Sequence, residues 1–450
     1  IMHKDLTTGN ITKTMLFFAF PMIMGNLLQQ FYNVADTLVV GQFIGTDALA
    51  AVGSSYTLMT FITSIILGLC MGSGAVFSIR FGQKDDENLK LSIFTSFVLI
   101  GVLTIILNIL VFIFTDQIMA FLNVPNEIYS LMREYIVIIF IGIPATFLYN
   151  YFASLLRAVG NSVTPLVFLA VSAILNIALD LVFVIVFNWG VAGAAIATVF
   201  SQFVSGIGIT LYTFFRLPEF RISKRHMIMK KETVSELSQF SILTCMQQSI
   251  MNFGILMVQG LVNSFGPTVM AAFAAAVKID SFAYMPVQDF GNAFSTFIAQ
   301  NYGAKKTERI KKGIKSAVIT SVIFCIIISA IVFIFAKPLL LLFIKPNETE
   351  ILEIGIQYLH IEGSFYFGIG CLFLWYGFYR AVSVPSMSVV LTVISLGTRV
   401  ALAYILSAIP AIGVVGIWAS VPIGWILADI FGLIYYKINS KKITERMEKA

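Results

Sequence analysis

Along 450 residues the chain repeats one pattern, an apolar run of 20 or so residues followed by a short polar turn. A helix of about 20 residues crosses a hydrocarbon core roughly 30 Å thick, and helices satisfy their own backbone hydrogen bonds in lipid. Twelve such runs centre near residues 28, 65, 103, 145, 177, 204, 249, 285, 327, 367, 398 and 425. They predict an all-α integral membrane protein with twelve transmembrane helices. No stretch between them is long or polar enough to fold as a separate soluble domain. The first run is expected to be retained rather than cleaved as a leader, since it is too long and is polar across 26–37.

The pattern is written twice. A shift of 221 residues lays FIGTDALAAVG (43–53) on SFGPTVMAAFA (264–274), and RFGQK (80–84) on NYGAK (301–305). It also places Pro125, Asn126 and Glu127 on Pro346, Asn347 and Glu348. A shift of 223 then lays LLRAVGNS (155–162) on FYRAVSVP (378–385), and GVAG (190–193) on GVVG (413–416). Six runs are followed by six more, and an even number per half makes the repeat parallel, about an axis along the membrane normal. Transporters use this plan. The expected organisation is an N-terminal lobe (1–215), a basic linker (216–235) and a C-terminal lobe (236–450).

Composition agrees, with 58% hydrophobic and 12% charged residues against roughly 25% charged in soluble proteins. The net charge of +6 is concentrated after even-numbered runs, at Arg80, Lys84 and Lys90, from Arg216 to Lys231, and from Lys305 to Lys315. Basic loops face the cytoplasm, so both termini are expected there, in a multi-pass protein of the plasma (inner) membrane. The bases are topology signals, not a nucleic-acid surface. The four cysteines lie within apolar runs, and His3, His226 and His360 are too scattered for a zinc site.

Polar residues inside the runs carry the candidate chemistry. Asn26, Gln30, Asn33 and Asp36 recur every three or four residues and share one face of the first helix. Gln247, Gln248 and Asn252 repeat the stripe loosely on the seventh run. Either these amides bond to neighbouring helices or they line a water-filled cavity between the lobes, where Met257 and Tyr284 are further lining candidates. Asp36 stands opposite Met257 in the repeat, Asn176 and Asp180 opposite Arg399 and Ala403, and Thr198 opposite Val421. The polar set has therefore been placed in one lobe only, at a depth of roughly 7–12 Å by the helical rise. Two carboxylates meeting there cannot both stay ionised without a cation, so Asp36 and Asp180 are expected to hold a proton, or a sodium ion with oxygens from Asn176 and Thr198. Pro21 removes a backbone hydrogen bond in the same helix and predicts a hinge. Lys278, Asp280, Asp289, Glu362 and Arg399 put both signs of charge in the second lobe, and internal ion pairs bracing it are expected, with coupling as the alternative role.

These residues resemble the multidrug and toxic compound extrusion (MATE) family from about residue 10 to 437. The resemblance is carried by the two six-helix lobes, YNVADTLVVGQFIGTDALAA at 32–51, RAVGNS at 157–162 and LNIALD on the fifth run. It implies a V-shaped helical fold with a central cavity, and antiport of small amphipathic, often cationic compounds against protons or sodium. In the prokaryotic branch resembling the DNA-damage-inducible F proteins the cation site falls on Asp36, Asn176, Asp180 and Thr198, with Asn150 as a further member and Pro21 as the bending proline. Some members carry carboxylates on the seventh helix, where this chain has Gln247 and Gln248. A flippase for a lipid-linked saccharide is the alternative, but the runs hold few of the bases a diphosphate would need. The chain has no GxxxxGK[ST] loop for an ATP-driven pump and no catalytic constellation. The expectation is a monomeric transporter in membrane lipid, neither an enzyme nor a cofactor protein, with no metal beyond sodium.

Overall fold

The computed structural model describes residues 5–450, apart from the side chains at 46 and 267, so that His3 lies outside it. The first six runs become α1 (Ile11–Phe43), α2 (Thr46–Gly82), α3 (Asp86–Ile113), the bent pair α5 (Asn126–Ile141) and α6 (Ile143–Ala158), α7 (Val163–Asp180), and α8 (Gly190–Arg216). A short α4 (Thr115–Phe121) precedes the pair. The second six become α9 (Lys231–Asn263), α10 (Pro267–Gly303), α11 (Thr307–Ile334), α13 (Thr349–Glu362) with α14 (Tyr366–Ala381), α15 (Pro385–Ser407) and α16 (Val415–Lys449), with a short α12 (Ala336–Leu340). No strand occurs among the described residues.

The repeat holds in detail. α2 and α10 are both 37 residues long, α3 and α11 both 28, each pair offset by the 221 residues read from the sequence. Left-handed turn residues recur too, with Lys84 matching Lys305, Gly45 matching Gly266 and Gly160 matching Ser383.

Among the described residues ten helices are long and apolar enough to cross a membrane singly, and α5 with α6, bent by 45°, makes an eleventh. The bend follows from Gly142 and Pro144. A Cβ at 142 would overlap the Gln202 side chain, and Pro144 cannot donate to the turn before it. The run centred near 367 arrives as α13 and α14, joined by a 3-10 turn at Gly363–Phe365. Neither piece is long enough to span alone, α13 having 14 residues and α14 16, against about 20 for a helix that crosses the hydrocarbon core.

The chain divides into two compact units, one of residues 20–245 with residue 5, the other of residues 6–19 and 246–450. The divisions fall inside α1 and α9, not in the basic linker. In the first unit the start of α9 lies against α2, where the Ser73 and Ser241 hydroxyls are 2.8 Å apart and Arg80 holds Glu236 at 2.7 Å. Gly68 and Gly72 permit this approach; a Cβ on Gly68 would stand 2.8 Å from the Cys245 Cα. In the second unit the fully buried Leu6 donates its N–H to Gln300 Oε1 at 3.1 Å, and the Arg309 guanidinium donates to the Leu6, Thr8 and Gly9 carbonyls.

Candidate functional site

In the first unit, three helices bring four of the expected residues together. Asp180 ends α7 and is fully buried, and the chain widens directly after it into a π-helical stretch, Leu181–Val186. Its i to i+5 bonds are Phe187 N–H to Val182 O at 3.0 Å and, one residue longer, Trp189 N–H to Phe183 O at 3.0 Å. π segments are rare and favour functional sites. α15, the counterpart in the second half, runs through without one.

One turn before Asp180, Asn176 is 3% exposed and donates its amide to Thr198 Oγ1 at 3.3 Å. Thr198, on α8, donates in turn to Ala194 O at 3.1 Å. Asp36, half-buried on α1, lies beside Asp180, close enough for each carboxyl to act on the other. Asp36 Oδ1, Asn176 Oδ1 and both Asp180 oxygens are buried without a donor. Oxygen acceptors left bare in a low dielectric are costly, and this donor set fits a proton or a hard monovalent cation. Tyr135, buried on α5, lies within electrostatic reach of both carboxyls, and Tyr32 within reach of Asp36. Sequence reasoning missed Tyr135, whose only signal is a hydroxyl inside an apolar run.

No hydrogen bond joins Asn150 to this set among the described residues. Its amide donates to Thr146 O of its own helix at 2.9 Å. Of the stripe on α1, Asn33 donates to the Tyr56 hydroxyl at 3.4 Å, while Asn26 and Gln30 are half-buried. Pro21 lies within α1, which stays helical across it. On α9, Gln247 is 2% exposed with Oε1 lacking a donor, Gln248 and Asn252 are half-buried, and Met257 is exposed. Tyr284 packs its ring against Tyr366 and Phe373.

In the second unit, Asp280 and Glu362 are held by hydroxyl donors rather than by an ion pair among the described residues. Asp280 and Glu362, 2% and 3% exposed, lie close enough for each carboxyl to act on the other. Tyr358 donates to Asp280 Oδ2 at 2.6 Å, and Tyr366 donates to Oδ1. Arg399 acts on both acids electrostatically, but not at ion-pair distance among the described residues, and its Nε has no acceptor. Lys278 stands over the Phe343 ring, 5.4 Å from its centroid. Asp289 is buried on α10. The sequence reading also missed Asp429, half-buried on α16 with Oδ1 lacking a donor.

A twice-written bundle of long apolar helices, with a bare carboxyl pair in one half, defines a polytopic membrane transporter. A sequence profile of the MatE family matches residues 21–182 and 242–405, and the chain belongs to this family of multidrug efflux transporters. It is 30% identical over 441 residues to the probable multidrug resistance protein YpnP of Bacillus subtilis, covering 97% of each chain. It is 25% identical over 441 residues to the probable multidrug resistance protein NorM of Thermotoga maritima, covering 95% of this chain and 92% of the other. The crystal structure of a MATE transporter in the bent conformation superposes with a TM-score of 0.93 at 22% identity, over 100% of this chain and 99% of the other.

Proposed function

We propose that the protein is a secondary antiporter of the plasma membrane, with both termini cytoplasmic, which expels small amphipathic, often cationic compounds in exchange for protons or sodium ions. The carboxyl pair of Asp36 and Asp180 supports this reading most directly, because it occurs in one half of a repeat whose other half folds with Met257 and Ala403 at the same places. With both acids charged, the first lobe attracts a cationic substrate. Entry of a proton or sodium ion from outside cancels that charge, with Asn176 and Thr198 orienting the oxygens, and substrate leaves as the Pro21 helix bends. Ion and substrate therefore compete for one charge. The second-lobe carboxyls serve to brace their own unit.

The test is efflux of a fluorescent cationic dye from proteoliposomes under a proton gradient, a sodium gradient or neither, for the wild type and Asp36→Asn. One ion is expected to drive efflux, and Asp36→Asn and Asp180→Asn are each expected to reduce it to the level without a gradient. Undiminished gradient-driven efflux in both variants would sink the proposal. Absence of dye movement under every gradient would favour the flippase reading.

A further inference from the structure

The second half adds one structure that the first lacks. α8 ends at Arg216 and the chain turns at Pro218. At a shift of 223 the matching position is Asn439, yet α16 continues to Lys449. These extra turns are packed down. Ile443 and Met447 are buried, and Lys305 Nζ donates to the Glu448 carbonyl at 3.0 Å. Between this tail, the turn from α10 to α11 and the end of α14 lies a cavity of about 500 Å³.

Its floor is apolar and aromatic, with Phe378 from α14, Val382 just after it and Tyr436 from α16, while the exposed Lys311 and Lys441 stand at its mouth with Glu445 as the single lining acid. Lys311 lies 3.6 Å from Glu308, but that pair is solvent-exposed and of little worth. Residues 302–315 and 436–450 together hold eleven Lys and Arg against three Glu. The cavity also sits where the apolar part of α16 gives way at Lys437 to a charged tail, the level of lipid headgroups. Below it Leu433, Ile434 and Ile438 of α16 are exposed, a surface along which acyl chains can lie.

We propose that this cavity binds an anionic phospholipid of the leaflet on the side of the basic loops, with the headgroup phosphate between Lys311 and Lys441 and the glycerol backbone on the aromatic floor. Basic pockets at helix ends recognise lipid headgroups in this way. A soluble anion would have no use for the apolar floor. The inference is independent of the coupling ion.

The test is retention of phosphatidylglycerol or phosphatidylcholine by the full chain, purified and delipidated in detergent, followed by native mass spectrometry. Phosphatidylglycerol is expected to be preferred, and Lys311→Gln with Lys441→Gln to weaken its binding about thirtyfold, the worth of two bases at a membrane surface. Ser440→Trp keeps both lysines but fills the cavity, and should also expel the lipid, whereas inorganic phosphate should not compete. Equal retention of the two lipids, undiminished binding in either variant, or displacement by inorganic phosphate would overturn the proposal. Gel filtration confirms that each variant is folded.

Discussion

At the scale of single residues, the two acidic pairs differ in what surrounds them. Asp36 and Asp180 meet with bare oxygens around them, whereas Asp280 receives hydroxyl donors from Tyr358 and Tyr366. The first arrangement leaves acceptors without donors; the second supplies its own donors. Tyr358→Phe removes one buried hydroxyl while keeping the ring beside Trp418, whose centroid is 4.8 Å away. It should destabilise the protein by about 1–3 kcal/mol, the cost of leaving the buried Asp280 Oδ2 without its donor, seen as a lower thermal midpoint in detergent. An unchanged midpoint would mean that the hydroxyl adds nothing to the fold. The meeting of Asp36, Asn176, Asp180 and Thr198 was legible in the sequence because the repeat provides an internal control at each position. The pairing of Asp280 with Glu362 was not. It depends on how α10, α13 and α14 pack, and the two tyrosines look like ordinary membrane aromatics.

At the scale of elements, glycine decides where helices can touch. A Cβ on Gly72 would overlap the Phe240 carbonyl, which is backbone and cannot swing away, while a Cβ on Gly53 of the same helix meets nothing within 4 Å. Gly72→Ala should cost about 1–3 kcal/mol through overpacking. Gly53→Ala should be neutral or stabilise by up to about 1 kcal/mol, since glycine weakens a helix interior. Equal thermal midpoints for the two variants would show that α2 and α9 separate without cost. Pro21 lacks a backbone donor within α1, so Pro21→Ala should raise the thermal midpoint and slow dye efflux; faster efflux would remove the hinge from the mechanism. Helix positions were legible from the apolar runs, and the bend at Gly142 and Pro144 can be rationalised from its residues. The π-helical stretch after Asp180 was not legible, because LVFVIV reads as uninterrupted apolar helix and the wider turns show only in the hydrogen bonds that close it.

At the scale of the whole molecule, the compact units exchange short segments relative to the sequence repeat. Residues 6–19 pack with the second unit and 231–245 with the first. Local patterns of charge and hydropathy identify repeats and linkers, but they carry no signal for which unit the start of a helix packs against. The glycines on α2 and the carbonyl-binding Arg309 supply that specificity. Each half of the chain thus lacks a segment that its own unit requires. Cutting the chain after Met229 should give fragments that do not accumulate alone, because 1–229 would expose the α2 surface around Gly68 and Gly72, and 230–450 would lose buried Leu6 with the carbonyls that Arg309 holds. Expressed together, the fragments should copurify and restore dye efflux in proteoliposomes, each supplying the other's missing segment. A fragment 1–229 that is monodisperse and protease-resistant on its own would show instead that the exchanged segments contribute little to the fold.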